Sequence, residues 1–296
     1  MSFFTLSNFQ QRLILGSISI LLTLLAIYVS HINVLGALFF TLFISGVVGA
    51  ALWEYYRIAQ TKGCQPLFKI GVSCSFAFFF ALLIRTYIGP KYMLPETVIG
   101  LTLGAGFAYY FIKGMDPFTN LAVTFFGILY LTIPLGCLIT VNFFVAPPYV
   151  VDGRWCLLYL LLVTKGTDIG AYFVGKLIGS RPLSPYISPK KTWEGALGGL
   201  VFSIFISYLF FLAFTHLFEQ PPFAITLAQT IWLATLISIV AQFGDLAESL
   251  LKRDVGIKDS SRHLPGLGGF LDSLDSLVFT SPLMYIFLNL QTKNLL

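Results

Sequence analysis

Apolar residues come in long runs separated by short polar stretches, from one end of the chain to the other. The runs fall near residues 13–30, 34–53, 67–87, 97–112, 119–146, 155–178, 194–217, 225–247 and 269–290. A helix needs roughly 20 mostly apolar residues to cross the hydrocarbon of a bilayer. The pattern therefore predicts an all-α, polytopic membrane protein of about nine transmembrane helices. The first run is too long for the apolar core of a signal peptide, and no small-x-small cleavage pattern follows it. It is expected to be a retained helix.

Composition narrows the class further. Of 296 residues, 57% are hydrophobic and 10% charged, and the mean hydropathy is +0.85. Soluble domains carry about 25% charged residues. This chain cannot coat a water-facing surface, which excludes a soluble enzyme, a disordered chain and a coiled coil. The net charge is +5, but the basic residues are too scattered for a phosphate stripe, so no nucleic-acid partner is expected. The spans use nearly all the apolar residues, and the chain reads as a single membrane domain, 1–296. Cys64, Cys74, Cys137 and Cys156 show no CxxC spacing and read as small packing residues.

Charge orients the chain. With nine spans and a cytoplasmic N-terminus, Arg85, Lys91, Arg154 and Lys293 fall outside and Lys165 within a span; the other Lys and Arg residues fall inside. That bias follows the positive-inside rule. Of the 13 acidic residues, only Glu54, Glu96, Asp116 and Asp152 precede Asp168, and all four read as loop or span-end positions. Residues 1–150 are thus expected to be a helical scaffold, and 151–296 to carry the chemistry in helices and cytoplasmic loops.

Four segments of that second half are unusual. Lys165 and Asp168 interrupt an apolar run; each costs about 2.5–3.5 kcal/mol at a helix centre. Either they pair locally at i and i+3, or their helix lines a polar cavity. Ser188-Pro189-Lys190-Lys191-Thr192-Trp193-Glu194-Gly195 reads as a helix start, with Ser188 as cap and Pro189 in the first turn. Two lysines and two hydroxyls beside free helical N–H groups attract phosphate. Asp245, Glu248, Ser249 and Lys252 share one helix face directly after a long apolar run. Finally, Pro265, Gly266, Gly268 and Gly269 permit an irregular backbone before Asp272 and Asp275, which project at i and i+3. Two carboxylates this close need a compensating cation or proton, and oxygen-only donors suit Mg²⁺ rather than Zn²⁺.

Left in lipid, Asp168, Asp245, Asp272 and Asp275 would together cost on the order of 10 kcal/mol. A hydrated cavity with bound metal removes that cost. Lys190, Lys191, Lys252, Arg253, Lys258 and Arg262 lie on the same predicted side. Carboxylates, metal and cations together point to a phosphate-rich substrate.

The stretch Ser249-Leu250-Leu251-Lys252-Arg253, Lys258-Asp259 and Pro265-Gly266-Leu267-Gly268-Gly269-Phe270-Leu271-Asp272-Ser273-Leu274-Asp275 closely resembles the signature of the phosphatidate cytidylyltransferases, the CDP-diacylglycerol synthases. Ser188 to Gly195, Asp168 to Phe173 and Gln242-Phe243-Gly244-Asp245 resemble the same family, in its order, over roughly residues 165–276. Two positions depart from the pattern: Leu267 stands where a His is common, and Ser273 where an Arg is. His263 is displaced by one residue, and Arg262 stands in its expected place.

The resemblance implies the reaction CTP + phosphatidic acid → CDP-diacylglycerol + pyrophosphate, in phospholipid biosynthesis. It implies Mg²⁺ held by Asp245 and Asp272, with Asp275 in direct contact or one step removed, and is compatible with a second, monovalent cation. Lys252 joins the three aspartates as catalytic. Asp168, Ser188, Lys190, Lys191, Thr192, Glu194, Ser249, Arg253, Lys258, Asp259, Gly268 and Gly269 would contact substrates. The implied partners are CTP, phosphatidic acid and the lipid bilayer, and a homodimer is compatible with them. The expected location is the cell inner membrane, multi-pass, with the active site facing the cytoplasm. Two rivals are a secondary transporter, which usually breaks helices in both halves, and a lipid kinase that uses CTP as γ-phosphoryl donor.

Overall fold

The computed structural model describes residues 8–89, 91–114, 116–144, 151–219, 225–257 and 268–293. Helices occupy all nine predicted positions: α1 Asn8–Val29, α2 Val34–Thr61, α3 Phe68–Ile88, α4 Leu94–Lys113, α5 Pro117–Asn142, α6 Gly153–Ile178, α7 Trp193–Leu217, α8 Leu227–Asp254 and α9 Phe270–Thr292. Among the described residues, seven of these are long and apolar enough to cross a membrane: α2, α3 and α5 to α9. Helix α1 offers the shorter apolar stretch Ile14–Val29. Helix α4 is diluted by Pro95, Glu96, its glycines and its tyrosines.

Local chemistry sets the ends. Asn33 caps α2, its Oδ1 accepting the Gly36 N–H at 2.9 Å. Proline stands in the first turn of α4 and of α5. Gly114, at φ 64°, closes α4 in the left-handed conformation. Pro134 cannot donate to the helical ladder, and α5 absorbs that with a π turn at Ile128–Thr132.

The chain divides into two compact units. The first comprises residues 1–139 and 254–274. There α1 packs on α2, α2 on α3 and α3 on α4. Its core holds Phe40, Leu52, Tyr56, Phe79, Ile128 and Leu131, all nearly inaccessible. The Tyr56 hydroxyl donates to the Thr124 carbonyl at 2.9 Å, and the Leu67 N–H donates to Thr124 Oγ1 at 2.9 Å. Such bonds give buried polar groups partners that lipid cannot supply.

The second unit comprises residues 140–253 and 275–296. Helices α6 and α7 pack along much of their length. A Cβ on Gly199 would lie 2.8 Å from the Thr167 carbonyl oxygen, so that approach requires glycine. Buried Ser207 bridges the helices: its Oγ shares a 2.7 Å hydrogen bond with the Tyr159 hydroxyl and donates to the Thr230 carbonyl of α8 at 3.0 Å. The outer face of α7, with Leu197, Val201 and Phe205, is exposed and apolar, as a lipid-facing surface is.

Two local expectations need correction. The helix predicted to start at Ser188-Pro189 begins four residues later. Ser188–Thr192 is instead strand β2, paired antiparallel with β1, Pro182–Ser184. Thr192 is the cap, its Oγ1 accepting the Gly195 N–H at 3.1 Å. Pro189 lies between the paired positions Ser188 and Thr192, a stretch over which the register shifts. Glu54, read as a span-end residue, is instead 1% exposed within α2, because no Gly or Pro stops that helix before Gly63.

Candidate active site

Lys165, Asp168, Lys191, Asp245, Glu248, Lys252 and Asp275 all belong to the second unit. Helix α8 presents Asp245, Glu248, Ser249 and Lys252 on one face, as their spacing requires, and Glu248, Ser249 and Lys252 are buried. Helix α9 brings Asp275, 7% exposed, alongside. The close approach depends on Gly244: a Cβ there would lie 2.6 Å from the Asp275 carbonyl oxygen. As a result, carboxylate oxygens of Asp245, Glu248 and Asp275 lie within 4.8 Å of one another.

Three lysines surround this acidic group. Lys191, from strand β2, ion-pairs with Asp245. Lys252 pairs with Glu248 at 2.5 Å, one helical turn away. On α6, Lys165 pairs with Asp168 at 3.2 Å, so the local pair forms. The same ammonium also donates to Ser276 Oγ on α9 at 3.3 Å, and Thr164 Oγ1 donates to Thr280 Oγ1 at 3.3 Å. Helix α6 is therefore wired to α9 through polar side chains inside the unit.

Counting Asp168 with the trio, four carboxylates face three ammonium groups. The excess is negative, and the donors nearest one another are all oxygens. That donor set fits a hard divalent cation such as Mg²⁺. Asp245, Glu248 and Asp275 are the residues that could hold it.

The hairpin is anchored by its own contacts. Glu194 Oε2 accepts the N–H groups of Ser180 at 3.0 Å and Arg181 at 3.2 Å, while Oε1 accepts the Ser180 hydroxyl at 2.8 Å. Arg253 Nε donates to the Ile187 carbonyl at 3.0 Å. Glu194 and Arg253, expected at the substrate, thus brace the loop that carries Lys190 and Lys191. Lys190 is exposed, and Ser188 and Thr192 are half-buried.

Asp272 belongs to the first unit, where its Oδ2 accepts the Gly269 N–H at 2.7 Å. Gly268 adopts φ 92°, a conformation that favours glycine. Lys258 and Asp259, with Arg262, His263 and Leu267, lie outside the described residues. An open cavity of about 830 Å³ in the first unit is lined by Gln65, Lys69, Tyr110 and Lys113 among others, with no carboxylate among the described residues that line it.

The profile of the Cytidylyltransferase family matches residues 10–291. The chain belongs to the cytidylyltransferase family. It is similar to the phosphatidate cytidylyltransferase of Chlamydia pneumoniae, with 32% identity over 291 residues, 94% of this chain and 91% of that protein. The phosphatidate cytidylyltransferase of Synechocystis sp. is 32% identical over 277 residues, covering 86% of this chain and 89% of its own. That of Staphylococcus haemolyticus is 44% identical over 143 residues, 46% of this chain and 50% of its own.

Sequence reasoning placed Asp245, Asp275, Lys191 and Lys252 where this cytidylyltransferase gathers its charge. It put Glu248 on the helix face of Asp245 without naming it as a candidate ligand. The signal was available: Glu248 stands three residues after Asp245, on the same face.

Proposed function

We propose that this chain is a phosphatidate cytidylyltransferase, converting CTP and phosphatidic acid to CDP-diacylglycerol and pyrophosphate. The observation that carries the reading is the meeting of Asp245, Glu248 and Asp275 with Lys191 in one membrane-embedded unit. The names of the full-length relatives support it.

The chemistry asks little of a general base. The nucleophile is an oxygen of the lipid phosphate monoester, already ionised at neutral pH. It attacks the α-phosphorus of CTP, a new P–O bond forms, and the α–β bridge breaks to release pyrophosphate. What the protein must supply is alignment and charge neutralisation. Asp245, Glu248 and Asp275 would hold Mg²⁺, with Asp272 one turn earlier on the same helix as Asp275. Bound there, the metal would polarise the α-phosphate and stabilise the leaving pyrophosphate. A monovalent cation beside it is compatible with the remaining carboxylate charge.

Lys190, Lys191 and Thr192 would receive the nucleotide phosphates. Lys191, ion-paired with Asp245 here, would turn to phosphate once a cation on the carboxylates supplied the charge that it now balances. Lys252 and Lys258 would steady the lipid phosphate or the triphosphate, and Arg253 and Glu194 would keep the hairpin in place. Asp168, Ser188 and Ser249 would line the same site, and the family resemblance adds substrate contacts for Asp259, Gly268 and Gly269. The lysine-rich loops face the cytoplasm under the positive-inside rule, and the bacterial relatives favour the inner membrane.

The deciding experiment uses purified protein in detergent with phosphatidic acid, Mg²⁺ and CTP labelled at the α- or the γ-phosphate. The expected result is α-label in lipid and γ-label in pyrophosphate. γ-Label in lipid would make the chain a kinase, and no lipid labelling would overturn the reading in favour of transport.

A further inference from the structure

Glu54 is a buried carboxylate in a membrane-spanning helix of the supposed scaffold, and it is 1% exposed. Such a residue is costly to place there, and packing alone does not call for it. Within the first unit its Oε2 accepts the backbone N–H of Leu271 at 2.9 Å, across 217 residues of sequence. Leu271 is the second residue of α9.

The start of α9 explains the contact. Helices begin with N–H groups that have no partner inside the helix, and a Ser, Thr, Asp or Asn at the cap position normally accepts one of them. Here the cap position is Gly269, which has no side chain. Asp272, the third helical residue, reaches back to the Gly269 N–H at 2.7 Å, which is one half of a reciprocal capping box. The other half, an acceptor for the helix's own first-turn N–H groups, comes from Glu54 on α2. Both carboxylates also lie at the positive end of the α9 dipole.

We propose that Glu54 is a positioning residue for the reaction. It replaces the missing cap of α9 and so sets the phase at which that helix presents Asp272 and, one turn later, Asp275. This rests on the cytidylyltransfer reading given above. A glycine at the cap keeps the backbone before α9 free of a side chain, and Glu54 restores from outside the order that glycine forfeits.

The test compares Glu54→Met, similar in size but with no acceptor for a strong hydrogen bond, and Glu54→Gln, which keeps an amide oxygen. Each full-length variant is purified in detergent and assayed for cytidylyl transfer. Hydrogen exchange is followed in peptides covering residues 268–276. Glu54→Met is expected to lower kcat by ~10–100-fold with the KM for CTP little changed, and to speed exchange at Leu271. Glu54→Gln should keep kcat and exchange near the parent values. Unchanged kcat and exchange in Glu54→Met would overturn the proposal. So would equal losses in both variants, which would assign the effect to charge. If Glu54→Met does not accumulate as folded protein, Glu54→Gln decides alone: retained kcat supports the cap, and lost kcat overturns it. If the parent protein transfers no cytidylyl group, the proposed function fails, while the exchange comparison still tests the capping contact.

Discussion

Lys191, on the second strand of a short hairpin, ion-pairs with Asp245, on the face of a membrane-spanning helix. The pair is only partly shielded, with side chains 28% and 34% exposed. Solvent screening keeps its contribution to stability small. Its interest is chemical: a cation expected to grip nucleotide phosphate rests on a carboxylate expected to hold metal.

Lys191→Ala is expected to raise the KM for CTP about tenfold with a smaller change in kcat, since the ammonium binds phosphate in ground and transition states alike. Steady-state kinetics with CTP and phosphatidic acid varied separately will check this. A change confined to the lipid dependence would reassign the lysine.

Asp275→Asn should reduce turnover by on the order of 10²–10³. It should also stabilise the protein in EDTA, because it removes one of three like charges whose oxygens gather within 4.8 Å. Thermal unfolding with and without Mg²⁺ tests the sign. A higher Tm in EDTA and a smaller Mg²⁺-induced shift than the parent's are expected.

Glu248→Gln should raise the Mg²⁺ concentration for half-maximal activity by roughly 10-fold or more. The single variant also strands buried Lys252, at a cost of about 3–5 kcal/mol. The pair Glu248→Gln/Lys252→Met should recover stability without recovering activity. A Mg²⁺ titration of both variants separates the two roles.

Gly244→Ala places a methyl group where the Asp275 carbonyl stands, 2.6 Å away. Backbone cannot swing aside as a side chain can, so the helices must part. The expected cost is about 1–3 kcal/mol, with activity down by roughly 10²-fold because the carboxylates separate. Expression, Tm and kcat measured together will show whether activity falls further than stability accounts for.

Asp245 and Asp275 were legible as chemistry because carboxylates cannot sit in an apolar run without a reason. Glu248 was legible as a helix face but not as a partner of Asp275, since its distance to Asp275 depends on how two helices pack. Asp272 shows the reverse case: its spacing suggests a ligand, and the fold also gives its Oδ2 the Gly269 N–H. The helix start at Trp193 was missed because Ser188-Pro189 and Thr192-Trp193-Glu194 are both good beginnings locally. The choice came from pairing with Pro182–Ser184, which no local pattern announces.

Local pattern was enough to identify the solvent, the nine helical segments and the half of the chain richer in carboxylates. Those follow from local quantities: the length of an apolar run and the cost of a carboxylate in lipid. Which carboxylates meet, which lysine answers which acid, and the contact of Glu54 with the first turn of the helix of Asp272 and Asp275 emerged from packing alone. Such pairings depend on the close approach that a Gly244 permits and on contacts spanning more than two hundred residues, and neither is encoded in any local pattern.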